Sequence, residues 1–245
     1  MYNIVYPYVP SKWDEELKYS LRSLDKYLKS DYRVIIYGTM KPNWLNTDKL
    51  EFIKCEQYNA PNNIPRTQFN QGLIYQKIIN RGDINDFIFF NDDIYLLQDI
   101  ESLNKVYMHS VGSEPLLPSA IPGNWNGWHT MLNESRTSLK NRRLTYYNYE
   151  SHLPYPINVE KLKELTMVLT GQRLLATIYY NVNKYGKTQL CSKVKIGCYR
   201  EKGIEVARSK FGDPKYKFFN HNDEALPLAK EMLPQLFPEK SRFEC

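Results

Sequence analysis

Residues 87–97 read FIFFNDDIYLL. An apolar, aromatic run breaks at Asn91, Asp92 and Asp93 and then resumes. Ionised carboxylates resist full burial, and two neighbours repel each other. The stretch makes physical sense if residues 87–90 form a buried strand and the acidic pair emerges where that strand leaves its sheet. The flanking sequence supports this. Residues 3–9 and 32–37 (YRVIIY) read as strands, and 50–55 as a weaker one. Residues 14–28 carry Leu17, Leu21, Leu24 and Leu28 at helical spacing, with Asp14 placed to cap. Residues 67–80 are also helical in pattern. Strands alternating with helices predict an α/β fold with a mostly parallel sheet. Ligands of such sheets bind beyond the carboxyl ends of the strands. The pair Asp92–Asp93 therefore falls where a ligand is expected.

The chain has 245 residues, a formal net charge of +6 and 14% aromatic residues. It is long enough for a sizeable core, and its composition is not that of a disordered segment. The mild basic excess favours anionic partners, but the basic residues are scattered, which argues against a nucleic-acid-binding tail. Cys55, Cys191, Cys198 and Cys245 include no CxxC spacing, so reduced thiols are expected rather than a zinc site. Residues 1–20 lack the pattern of a secretory leader, and no apolar run reaches membrane-spanning length. A cytoplasmic location is the expectation.

Three more segments attract notice. Residues 216–224, YKFFNHNDE, repeat the design of aromatics leading into polar groups: His221, Asn222 and Asp223. Residues 151–157, SHLPYPI, hold His152 beside two prolines that stiffen the chain, a setting suited to acid–base work or to a plain turn. Residues 113–128, with three prolines, read as a loop or lid in which Trp125 or Trp128 stacks on a base or sugar, or simply packs. Beyond them, 160–175 reads as one helix containing Arg173, a candidate phosphate contact or a solvated residue. Residues 191–199 read as a strand, and 225–236 as a helix interrupted by Pro227 and ended by Pro234. Magnesium is commonly held by one or two carboxylates plus substrate phosphates. Asp92 and Asp93 suit that task, although such a pair also serves as a turn or cap.

In order along the chain, YNIVYPYV, EELKYSLRSLDKYL, RVIIYGTMKPNWLN, IPRTQFNQ, FIFFNDDIYLL, SHLPYPI, YKFFNHNDE and LFPEKSRFE resemble segments of the Stealth family of sugar-phosphate transferases. The resemblance spans nearly the whole chain. It implies a single catalytic domain over 1–245 related to glycosyltransferase-A folds. Residues 1–112 would form the nucleotide-sugar-binding half, and 113–245 the lid and acceptor side. It implies a nucleotide-sugar donor, typically a UDP-sugar, a hydroxyl acceptor (glycan before DNA) and a divalent metal. Carried over by position, Asn91, Asp92 and Asp93 match the acidic strand-end motif, His152 the histidine before a proline, and Asn222 and Asp223 the late Asn-Asp. Arg173 is a looser match. One departure stands out: residues 6–10, YPYVP, lack the family's Asp-Gly turn after the first strand.

The expected chemistry is transfer of a sugar-1-phosphate. Asp93, with Asp92 or Asp223, would hold Mg2+ or Mn2+. Arg173 would offset diphosphate charge, and His152 would accept the acceptor proton. Asn91, Asn222, Trp125 and Trp128 would contact substrate. Two alternatives stay open. One is a metal-dependent glycosyltransferase that releases a nucleoside diphosphate. The other is a non-catalytic module that binds sugars or nucleic acid.

Overall fold

The structure, a computed structural model, describes residues 1–11, 13–61, 64–103, 127–185, 193–199 and 203–245. Its centre is β1 (Tyr2–Tyr8), which continues through α1 (Glu16–Tyr27) into β2 (Tyr32–Gly38) and β3 (Glu51–Lys54). Then α2 (Arg66–Arg81) returns the chain to β4 (Asp86–Phe89) on the other side of β1. With β6 (Tyr155–Asn158) at the edge, the sheet order is β3-β2-β1-β4-β6, parallel except for β6. This is the mixed, mostly parallel α/β sheet that the sequence pattern predicts.

Period-2 alternation sends side chains to both faces of the sheet. Ile4, Tyr6, Val34, Ile36, Ile88 and Phe90 pack with Leu17, Leu21 and Leu24 of α1. Val5, Ile35, Tyr37, Phe87 and Phe89 pack with Ile74, Tyr75 and Ile78 of α2 and with the tyrosine-rich α6 (Leu175–Val182). Both faces are covered, which is why these strands read as nearly continuous apolar runs.

A second, three-stranded sheet follows. β5 (Ile94–Leu96) pairs antiparallel with β8 (Phe218–His221), and β8 pairs parallel with β7 (Lys195–Cys198). α8 (Leu226–Leu236) covers it through Leu228, Ala229 and Leu233.

Several local expectations change. Asp14 does not cap α1: Glu15 takes the N-cap position without a side-chain bond, and Glu16 supplies the first-turn negative charge. The helix expected over 160–175 is broken into α4 (Val159–Lys163), α5 (Thr166–Leu169) and α6. The second break, between α5 and α6, contains Gly171, whose φ of +72° is a left-handed conformation that favours glycine. A Cβ there would meet the Phe69 backbone at 2.6 Å, so α2 crosses at close range. Pro227 does not interrupt α8, since it sits in the first turn, where a missing N–H costs nothing. Nor does Pro234 end it, since the helix runs on to Leu236. Trp128 lies not in a loop but in the first turn of α3 (Gly127–Asn141). Of residues 151–157, expected as a proline-stiffened segment, 155–157 belong to strand β6. Pro156 is tolerated because β6 is an edge strand. Cys55, Cys198 and Cys245 are free thiols, and Cys191 lies outside the described residues. Among the described residues no helix is long and apolar enough to cross a membrane.

The C-terminal FPEKSRFE segment is structural. Arg22 of α1 grips Glu244 through Nε at 2.8 Å and Nη2 at 2.7 Å, and its Nη1 donates to the Phe237 carbonyl at 2.8 Å. The Asn46 N–H donates to the Phe243 carbonyl and the Cys245 N–H to that of Trp44. The tail thus straps α1 to the segment after β2. Burial opposes ionising Glu244, but the Arg22 guanidinium and the Ser241 N–H hold its carboxyl below the usual value. A depressed carboxylate stabilises the fold above its unfolded pKa and loses that contribution as pH falls through the folded value. Arg22→Ala is therefore expected to cost about 3 kcal/mol at neutral pH, measured by denaturant unfolding. The gap from wild type should narrow progressively below about pH 4.

Candidate active site at the strand ends

A cleft of about 780 Å³ opens at the carboxyl ends of β1, β2, β3 and β4, with α2 as one wall. It sits where the chain order reverses across β1 and β4, the usual ligand position in such sheets. Asn91, Asp92, Asp93, His152 and Asp223 all line it.

Two antiparallel pairings explain the convergence. On one side, β4 pairs with β6 through Phe89 and Tyr155. Continuing that register beyond the strand ends carries His152 toward residues 91–93. On the other side, β5 pairs with β8 through Ile94 and Asn220. The next positions outward are Asp93 and His221, and Asp223 follows. The NDD corner joins β4 of one sheet to β5 of the other, so partners of both strands are delivered to it.

His152 and Asp93 form the central pair. His152 Nε2 lies 2.9 Å from Asp93 Oδ1, and the Asn91 amide flanks the same nitrogen at 3.1 Å. An ionised carboxylate only accepts, so the bond to Asp93 requires a proton on Nε2, and the Asn91 Nδ2, itself a donor, is then a close neighbour rather than a second bond. Nδ1 is the ring nitrogen that Asp93 does not engage. Burial works against ionising Asp93, but His152 and His221 hold its carboxyl below the usual range. The backbone of His152 is itself left-handed, with φ of +52°. Such strain persists where the surroundings over-determine the conformation. Here the His152 N–H donates to the Tyr155 hydroxyl at 3.0 Å. The preceding segment is fastened to α6, whose Thr177 N–H donates to Glu150 Oε1 at 2.8 Å.

Asp92 behaves differently. Burial, then repulsion by Asp93 and Glu16, push its carboxyl well above the usual range. Glu16, in the first turn of α1, is a site residue that the sequence reading missed, as is Lys77 of α2. Burial raises the pKa of Glu16, and the charges of Asp93 and Asp223 add to that. The bond from Ser11 Oγ, 2.6 Å from Oε2, and the nearby His221 oppose it. The available signal was position: an acidic helix start directly after the first strand. It sits close to where the Asp-Gly turn is lacking.

His221 is buried rather than lining the cleft. It stacks on Tyr95 and Phe219, and its Nε2 lies 3.0 Å from the Tyr95 hydroxyl and 3.7 Å from Glu16 Oε1.

Three expected contacts fall elsewhere. Arg173 does not line the cleft. It pairs with Glu134 at 3.0 Å in a separate groove formed by α2, α3 and the connection from α5 to α6, which contains the left-handed Gly171. Asn222 is spent on local structure: its Nδ2 donates to the Tyr199 carbonyl at 2.8 Å, and its Oδ1 accepts from the Ala225 N–H at 3.3 Å. Trp128 lies edge-on to His129 outside the cleft lining. Trp125 lies outside the described residues.

The cleft is acidic despite the chain's +6 charge. Among the described lining residues, Lys77 is the one lysine, and there is no arginine. The donor set fits a hard divalent cation: oxygen ligands, excess negative charge and an Asp92 that resists ionising without compensation. Asp92, Asp93 and Asp223 are not a preassembled cage, because among the described residues no group of three or more His, Cys, Asp or Glu is arranged to hold a metal. A cation here would draw further ligands from substrate phosphates, the common arrangement for Mg2+.

No protein-family profile and no curated protein matches the sequence. Solved structures do. The galactosyltransferase LgtC, determined with donor and acceptor sugar analogs, superposes over 97% of this chain and 96% of its own, with a TM-score of 0.51 at 11% identity. An active-site mutant of LgtC matches over 96% and 94% of the two chains at 0.45 and 11% identity. The bifunctional glycosyltransferase WbbM matches over 89% of this chain and 45% of its own at 0.49 and 12% identity. The near-complete mutual coverage of the first match shows that this chain has a glycosyltransferase-A fold.

Proposed function

We propose that the chain is a nucleotide-sugar-dependent transferase that moves a sugar-1-phosphate from a UDP-sugar to an acceptor hydroxyl, a glycan before DNA, with Mg2+ or Mn2+. The observation that carries this is the His152–Asp93 pair inside an acidic cleft at the strand ends. The order of Stealth-like segments along the chain supports the phosphate-bearing version of the reaction.

The acceptor hydroxyl gives its proton to His152 Nδ1, while Asp93 holds Nε2–H and steadies the imidazolium that forms. The acceptor oxygen bonds to the phosphorus next to the sugar. The bond from that phosphorus to the bridging oxygen breaks, and UMP leaves with the bonding pair. A cation held by Asp92 and Asp93, with Asp223 available, would offset charge on the diphosphate. Lys77 would do so from α2.

A second reading is transfer of the sugar alone, breaking the bond between sugar carbon and diphosphate oxygen and releasing UDP. The fold shared with LgtC, a galactosyltransferase, favours it. The nucleotide product separates the two.

Incubation with UDP-, GDP- and CMP-sugars, a glycan acceptor and Mn2+ or Mg2+ should yield UMP. Release of UDP would replace the first reading with the second. No turnover of any donor, with no donor-dependent rise in Tm, would end both. His152→Ala should lower turnover about 10²–10⁴-fold with donor affinity nearly intact, measured by steady-state kinetics and donor titration. Asp92→Asn removes a carboxyl whose ionisation is opposed by burial and by the charges of Asp93 and Glu16. It should raise Tm in cation-free buffer at neutral pH and abolish the rise that Mn2+ produces in the wild-type chain. A variant that keeps the full Mn2+ response would exclude Asp92 from the cation site.

A further inference from the structure

Lys195 is a buried lysine outside the cleft lining, 7% exposed, on β7 of the second sheet. Its Nζ donates to the Ser151 carbonyl and, at 2.6 Å, to the Tyr199 hydroxyl. The Tyr199 hydroxyl donates onward to Asn220 Oδ1 at 3.0 Å. Taking an ammonium group out of water is costly unless its hydrogen bonds are met. The group it meets here is the carbonyl directly before His152, the residue with the left-handed backbone.

The surroundings are shaped for this contact. Tyr199 folds back over β7, and a Cβ on Gly197 would come within 2.7 Å of its ring. Glycine at 197 therefore leaves the space that the ring occupies. The Lys195 ammonium also lies 5.3 Å from the centre of that ring. Asn222 fixes the Tyr199 carbonyl at 2.8 Å. The late Asn-Asp motif thus reaches the cleft twice: directly through Asp223, and indirectly through Asn222, Tyr199 and Lys195.

We infer that Lys195 is a positioning residue for His152. By holding the Ser151 carbonyl from the second sheet, it fixes the left-handed turn and keeps the imidazole in register with Asp93. This rests on the reading of His152 as the base. The His152 N–H is satisfied by Tyr155 of the first sheet, and the Ser151 carbonyl by Lys195 of the second. The one peptide unit that precedes the base is therefore tied to both sheets, its N–H to the first and its carbonyl to the second.

The test combines kinetics with a spectrum that needs no activity. Lys195→Met should lower kcat about 10–100-fold with a small change in donor KM, because a displaced base costs rate more than binding. Lys195→Arg keeps a donor for the carbonyl and should recover part of the loss. In a His152→Ala background, Lys195→Met should cost nothing further, since residues acting as one unit are not additive. Long-range ¹H–¹⁵N imidazole spectra of the metal-free protein should show one His152 tautomer, protonated at Nε2. Lys195→Met should average it, while unchanged His221 signals report an intact second sheet. Gly197→Ala, which crowds Tyr199, should shift His152 in the same direction. Unchanged His152 signals in both variants, or an equal loss in the His152→Ala background, would overturn the inference. A wild-type chain without transferase activity would instead defeat the functional reading, and the imidazole spectra would still decide the placement of His152.

Discussion

The NDD corner between β4 and β5 is the constraint on which the site depends. The chain leaves a five-stranded sheet at Phe89 and enters a three-stranded one at Ile94. Residues 91–93 must therefore sit at the seam. Each sheet supplies an antiparallel neighbour running in the opposite direction, so its polar end arrives at the same place. One neighbour brings His152, and the other brings the 221–223 segment. No single element could hold these groups together. A strand register, once set by its apolar face, places every residue along it.

The seam concentrates negative charge on a protein whose overall balance is positive. Several arginines are committed elsewhere: Arg22 to the C-terminal strap, Arg81 to Asp83 and Glu51, Arg173 to Glu134, and Arg208 to Glu205 and Glu231. Net charge therefore says little about the cleft. Local repulsion among Asp92, Asp93 and Glu16 does more, because burial amplifies it. One member of the pair is stabilised as an anion by an imidazole, and the other is left uncompensated. Two adjacent aspartates of identical chemistry thus acquire different roles from their surroundings.

Part of this was legible in the residues themselves. The FIFF run fitted a strand between two helical layers, and NDD at its end marked the carboxyl edge of the sheet. HND after FF repeated the design, and both segments do meet. The FPEKSRFE segment was legible as distinctive but not as structural, because its role is a long-range bond from Glu244 to Arg22. Arg173 reads as a phosphate ligand on a continuous helix. That helix is broken twice, the second break containing the left-handed Gly171, and the guanidinium lies in another groove. Glu16 carries no local motif, and only the closure of α1 against β1 and β5 puts it in the cleft.

The sequence by itself determined the strands and helices from β1 to β4 and their order, because apolar periodicity and turn chemistry act over a few residues. It determined that an acidic pair must leave a buried strand, since two carboxylates cannot stay inside one. Only the tertiary structure decided which distant groups those carboxylates face. Strand partners are chosen by long-range packing, and that choice paired β6 with β4 and β8 with β5. The same choice made Asn222 a brace, Lys195 a strut and His152 the neighbour of Asp93.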